Sequence, residues 1–185
     1  MENKIVRCHW VNLNNPLYVE YHDSEWGVAS FDDAYLFELL LLESFQAGLS
    51  WECVLNKRAF FKEAFDNFDY QKIAKYDDKK FNELVNNPNI IRNKLKIKAS
   101  INNAKVFMNI QNEYGSFAKY IWGFTNGEVI RGDGTNTSSE LSDKISADLI
   151  KRGMKFVGTT IIYSYLQAIG MINDHEDNCF FNKNH

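Results

Sequence analysis

The sequence predicts an all-α protein. Apolar residues recur at helical spacing along nearly the whole chain. Capping residues bracket those stretches, and no alternating apolar–polar run is long enough to demand a sheet. Asp32 or Asp33 can cap a helix running to about Gln46, with Gly48 just past its end. Ser50 can cap the next helix, in which Val54, Phe61, Phe65 and Phe68 recur close to helical spacing. Short helices follow at Gln71–Lys75 and Lys79–Asn86, the second opened by Asp77-Asp78, before Pro88 breaks the chain. A longer amphipathic helix runs from about Asn93 to Glu113, with Ile97, Ile101, Ala104 and Met108 on one side and Gly115 at its end. Ser116–Trp122 forms another short helix, and Thr125–Thr137 is a polar loop holding Gly127, Gly132 and Gly134. Ser142 begins a helix that stops at Gly153, and a final helix covers about Thr159–Ile169 before Gly170.

The chain has 185 residues, 45% hydrophobic and 24% charged, with two prolines and no linker-like stretch, which points to one ordered domain spanning 1–185. The longest near-apolar run, Leu36 to Leu42, is interrupted by Glu38 and falls far short of the roughly 20 residues a membrane helix needs. The start, Met1-Glu2-Asn3-Lys4, leads into polar sequence with no signal-peptide core. Three cysteines, Cys8, Cys53 and Cys179, form no disulfide pattern. The expectation is a cytoplasmic monomer with no membrane partner.

A net charge of -3 argues against a protein that coats nucleic acid by bulk electrostatics, yet its distribution is uneven. From Leu84 to Asn112 there is no acidic residue, while Arg92, Lys94, Lys96, Lys98 and Lys105 all fall there. A solvated helix face explains such a run equally well. The segment from Asn87 to Lys98 has the form helix, tight turn, basic helix. Backbone N–H groups opening a helix suit a phosphate oxygen, and the lysines reinforce this. No GxGxxG or GxxxxGK[ST] phosphate loop, GxSxG elbow or CxxC pair occurs, which disfavours nucleotide hydrolysis, dinucleotide redox chemistry and serine hydrolysis.

Two constellations carry chemistry. His175 and Cys179 are four apart, the spacing at which two side chains on a helical turn share one face, and supply half of a tetrahedral zinc site. Cys8 and His22 can supply the remainder and pin the two ends of the chain together, with His9 a competing ligand. The bland alternative is two ordinary thiols and two hydrogen-bonding histidines. Glu43 follows four consecutive leucines; a carboxylate there is either at the helix surface or buried with a partner. With Tyr21, Trp51 and Trp10 it has the parts of a pocket for a flat cationic base: π-faces attract positive charge and the carboxylate accepts N–H bonds. An aromatic core with a surface glutamate fits the same composition.

Taken in order, Cys8-His-Trp10, the block Tyr18–Gly27, the block Glu43–Trp51, Ile90-Ile-Arg-Asn93, the block Lys151–Thr160, and Asn173-Asp-His175 with Cys179 resemble the 3-methyladenine DNA glycosylase I family. The resemblance covers almost the whole chain. It implies a helix-hairpin-helix glycosylase with a hairpin at about 80–113 and structural Zn2+ held between segments of about 1–25 and 170–185. The zinc ligands it implies are Cys8, His22, His175 and Cys179; the base pocket is Glu43, Tyr21 and Trp51 with Trp10 alongside. Leu49 falls where the family places a wedge into the duplex, and Ile90, Arg92, Lys94 and Lys96 fall on the DNA-binding hairpin. The implied activity is monofunctional hydrolysis of 3-methyladenine flipped from double-stranded alkylated DNA, with an ionised Glu43 as the recognition and catalytic group. Two rivals are a lyase using Lys94, Lys96 or Lys98 as a Schiff base and a module that binds lesions without excising them. The chain departs from the family at Asn89 and Leu95, where glycine is frequent, so Asn89 is expected to need a left-handed backbone. Ser44 and Phe45 replace smaller or polar residues beside Glu43 and are expected to alter the pocket wall.

Overall fold

The structure, a computed structural model, describes residues 5–132 and 134–184; Met1–Lys4, Asp133 and His185 lie outside the described residues. The expectation of a leader-free polar start concerns Met1–Lys4 and so falls outside them. The first helix, α1 (Pro16–Ser24), has no counterpart among the expected elements, although Asn15 caps it and Pro16 opens it. The next, α2 (Asp33–Gln46), organises the chain. Nine of its residues between Leu36 and Phe45 are buried, and a helix apolar on every face has to lie inside the protein. Asp32 caps it by accepting from Ala34 N at 3.0 Å.

The single helix expected after Ser50 is three pieces: α3 (Trp51–Leu55), α4 (Arg58–Ala64) and a 3-10 turn at Asp66–Phe68. The break after α4 comes from three consecutive positive φ values at Asp66, Asn67 and Phe68, with Tyr76 Oη donating to Asp66 at 2.5 Å. Packing of Phe61 and Phe65 against Phe45, with centroids 4.7 and 6.0 Å away, overrides helix continuity. There follow α5 (Tyr70–Ile73), α6 (Asp78–Asn86), α7 (Lys94–Tyr114) and α8 (Phe117–Trp122), capped by Asp69, Asp77, Asn93 and Ser116. After a 3-10 turn at Gly123–Thr125 come α9 (Glu140–Lys151) and α10 (Thr159–Ala168). Ser142 does not begin α9 but completes a capping box with Ser139, so the helix starts two residues earlier than expected.

The only described strands are β1 (Ile130–Arg131) and β2 (Ile172–Asn173), a parallel pair in register Ile130↔Ile172 too short to leave an alternating pattern. The last helix is α11 (Phe180–Asn184), and Phe180 N donates to Val6 O at 2.8 Å, joining the two ends of the chain. Helices α3, α7, α8 and α10 pack on α2, and α6 packs on α7 across the turn at 87–93. Among the described residues no helix is long and apolar enough to cross a membrane.

Asp33 locks α2 to α8. Its carboxylate accepts from Phe117 N at 2.8 Å, Ala118 N at 2.7 Å and Gln111 Nε2 at 2.6 Å. Asp33→Ala strands two backbone donors and should lower stability by about 2–3 kcal/mol, read by denaturant unfolding; Asp33→Asn should fall between the two.

Candidate active site and metal cluster

A cavity of about 200 Å³ opens beside α2, lined by Trp10, Tyr18, Tyr21, Trp26, Glu43 and Trp51 among others. Glu43 and Gln46 come from the last turns of α2, Trp51 from the first position of α3, and Tyr21 from α1. Ser50 fixes Trp51 by capping α3 at Cys53 N. The Tyr21 and Trp51 rings lie 5.1 Å apart with planes at 46°, two tilted walls rather than a closed stack. Trp10 packs edge-on against Trp26 at 4.8 Å, so the aromatic wall continues past the cavity.

Glu43 is 2% exposed, and its Oε2 is buried with no hydrogen-bond partner among the described residues. Neither expected alternative, surface or protein-paired, describes it. Trp51 Nε1 and Gln46 Oε1 are likewise buried and unpartnered beside it. An unpaired buried polar atom costs about 1–3 kcal/mol, so three of them around one cavity describe a site built for a ligand. Burial pushes the Glu43 carboxyl well above the usual carboxylate range, which opposes the ionised form expected from the sequence. Burial, reinforced by Glu43, likewise pushes the Tyr21 phenol well up. Ser44 and Phe45 do not line the cavity: Ser44 Oγ donates to Leu40 O at 2.8 Å, and Phe45 faces Phe61. The expectation that they alter the pocket wall is not met.

Cys8, His22 and Cys179 are buried, and their ligand atoms lie within 4.8 Å of one another. His22 Nε2 accepts from Cys8 N at 3.4 Å and lies 3.6 Å from Cys179 Sγ, while Nδ1 sits 2.8 Å from Asp23 Oδ1. That carboxylate is in turn gripped by Arg7 through contacts of 2.6–2.9 Å. An Asp–His pair of this kind fixes the tautomer and leaves Nε2 unprotonated, the form a metal ligand needs. Burial works against an ionised Asp23, but hydrogen bonds from Arg7 and His22 hold its carboxyl below the usual range. Burial lowers the His22 pKa, which keeps the imidazole neutral, and pushes the Cys8 thiol up to about 12. A neutral, oriented imidazole and two cysteines suit zinc, whose positive charge would favour the thiolate form that burial opposes. His175 is outside that trio, with its ring 5.1 Å from that of His22 and Nδ1 3.0 Å from Asn173 Oδ1. The segment from His175 to Cys179 is a turn, not a helix: Cys179 N donates to Glu176 O at 2.8 Å. His9 is exposed and pairs with Glu176, away from the trio.

On the hairpin, Arg92 and Lys94 are exposed, and so is Leu49 on the turn after α2. Ile90 and Lys96 are not: both are buried, Ile90 in the core and Lys96 with its ammonium on carbonyls at the end of α2, so neither side chain is presented to solvent. Asn89 keeps a negative-φ backbone, because Asn87 Oδ1 accepts from Asn89 N at 2.9 Å and closes the turn without one. Leu95 projects from the first turn of α7 and is largely exposed.

The methyladenine glycosylase family model matches residues 10–183. The chain belongs to the methyladenine glycosylase family. Among the family's members, DNA-3-methyladenine glycosylase 1 of Escherichia coli K12 is 43% identical over 178 residues, covering 94% of this chain and 95% of that protein. A crystal structure of a 3-methyladenine DNA glycosylase I superposes with a TM-score of 0.90 at 43% identity, covering 95% of this chain and 98% of that one. The Staphylococcus aureus member, whose structure addresses 3-methyladenine recognition, gives 0.87 at 34% identity over 90% of this chain and 91% of that one.

A buried carboxyl with a raised pKa contributes stability below its unfolded pKa that is lost as pH rises through the folded value. Glu43→Gln removes that loss. Its stability relative to the native protein should therefore climb from pH 4 towards pH 8, as read by denaturant unfolding at about those two values.

Proposed function

We propose that this protein is a DNA base-excision repair glycosylase that hydrolyses the N-glycosidic bond of 3-methyladenine flipped out of alkylated double-stranded DNA. The observation that carries this reading is the Glu43 carboxyl, its Oε2 unpartnered among the described residues, on the wall of a cavity of about 200 Å³ flanked by Tyr21, Trp51 and Trp10. Methylation at N3 makes the adenine of the nucleoside cationic and its glycosidic bond weak, so little chemical acceleration is asked of the protein. The base brings the positive charge that Glu43 lacks. As it enters, the carboxyl is drawn towards its ionised form and accepts from the N6 amino group. Guanine presents O6 at that edge, an acceptor facing an acceptor, which costs about 1–3 kcal/mol. Tyr21 and Trp51 flank the ring, with Trp10 beside them. Among the described residues lining the cavity there is no lysine, which favours direct hydrolysis over a Schiff-base lyase.

The exposed Arg92 and Lys94 at the start of α7 would hold the phosphate backbone, and Leu49 would fill the gap left by the extruded nucleotide. The protein acts as a monomer. Cys8, His22 and Cys179 would hold zinc, with His175 beside them as the fourth ligand. With four protein ligands the site would have no open position, so zinc would supply cross-linking rather than chemistry.

Incubation with alkylated DNA followed by chromatography should show free 3-methyladenine and abasic sites; intact bases after incubation would leave only lesion binding. Glu43→Gln should forfeit about 1–3 kcal/mol of recognition, a roughly ten- to hundredfold slower release. Elemental analysis should find one zinc per chain. Cys179→Ser should lose metal and thermal stability together.

A further inference from the structure

Lys96 stands on the first turn of the basic helix α7, yet it is 6% exposed and its side chain turns inward. Nζ donates to Phe45 O at 2.8 Å and to Ala47 O at 2.5 Å. Both carbonyls belong to the C-terminal end of α2, whose last turn has no basic residue of its own. An ammonium borrowed from α7 therefore satisfies the orphaned carbonyls and the negative end of the helix dipole. Beyond it, Nζ lies 5.9 Å from the centre of the Phe156 ring. Phe156 has φ 56°, a strained value for a bulky residue. Its segment is strapped to α7: Asn103 pairs with both the N and O of Lys155 at 2.9 and 2.8 Å, and Asn102 Nδ2 donates to Gly153 O at 2.8 Å.

The start of α7, the end of α2 and the strained segment thus meet at one ammonium. The turn it holds has Ala47, then Gly48 at φ +77° with open space around its Cβ position, then the 43%-exposed Leu49. Such a turn has little packing of its own to hold it in place. We propose that Lys96 is a positioning residue for base extrusion: by clamping Ala47 to the first turn of α7, it fixes Leu49 relative to the phosphate-gripping face of the hairpin. Docking of Arg92 and Lys94 on the backbone then carries Leu49 into the stack at a set offset and delivers the base to Glu43, three residues before the end of the same helix. Methionine keeps the length of the side chain but donates nothing; arginine keeps charge and donors.

This rests on the glycosylase reading, and the test separates the two. Turnover is measured on methylated duplex DNA and on the same DNA heat-denatured, where bases leave the stack freely; affinity for free 3-methyladenine is measured by tryptophan fluorescence. Lys96→Met should slow release from duplex about ten- to a hundredfold, while denatured DNA and the free base change by no more than about twofold. Lys96→Arg should recover most of the duplex activity. An equal loss on both DNA forms, or a matching loss of free-base affinity, would overturn the proposal by showing that Lys96 merely supports the pocket. If Lys96→Met fails to fold, Gly48→Ala decides, because it strains the same turn without a clash. A duplex-selective loss supports the proposal, and a uniform loss or none overturns it. Native protein that releases no base from either DNA form would overturn the glycosylase reading itself, and this proposal with it.

Discussion

The architecture depends on one unfavourable placement, an acidic side chain sealed inside a leucine-rich, largely buried helix. Leucines and phenylalanines on every face of α2 drive it to the centre of the molecule, and Glu43 goes with them. No described residue repays its desolvation, since Oε2 has no hydrogen-bond partner among them. The folded state therefore holds a deficit of charge and hydrogen bonding that a cationic purine of the right edge pattern can fill. On the proposed reading, recognition and stability are set against each other at this position.

The pocket and the metal cluster share a wall. Trp26 packs against Trp10 on one side and lies 4.5 Å from the His175 ring on the other, and the Trp10 ring is 5.3 Å from that of His22. A metal held by Cys8, His22 and Cys179 would thus stiffen the aromatic floor on which a base would rest. Gly27 belongs to this joint: a Cβ there would lie 2.6 Å from His175 Cε1, and its φ of +78° already excludes most side chains. Asp174 braces the opposite rim. It accepts from Tyr163 Oη at 2.8 Å, Gln167 Nε2 at 2.5 Å and Gly134 N at 3.2 Å, joining α10 to the loop that borders the cavity.

Much of this was legible in the residues. The caps at Asp32, Asp77, Asn93 and Ser116 mark helices because a local side-chain oxygen satisfies local N–H groups, and local chemistry needs no tertiary context. The Asn15-Pro16 start of α1 was equally local and went unread, because the helix behind it is short and weakly patterned. The breaks at 56–57 and 66–68 were hidden for another reason: Phe61, Phe65 and Phe68 keep helical spacing, and only the position of Phe45 opposite them shows that the chain must bend. Ile90 and Lys96 show the same limit. A basic run in sequence does not say which of its members faces inward.

The residue types alone determined that the protein is helical, that its core could contain a carboxylate among aromatics, and that thiols and imidazoles stand near both ends of the chain. Each follows from spacing and composition, which act over a few residues. Tertiary structure decided which polar atoms lack partners, that His22 is oriented by Asp23 and Arg7, and that a lysine of the basic helix closes α2 instead of facing solvent. Those outcomes depend on groups up to 51 residues apart meeting in three dimensions, and desolvation is a property of everything packed around an atom, which no local pattern encodes.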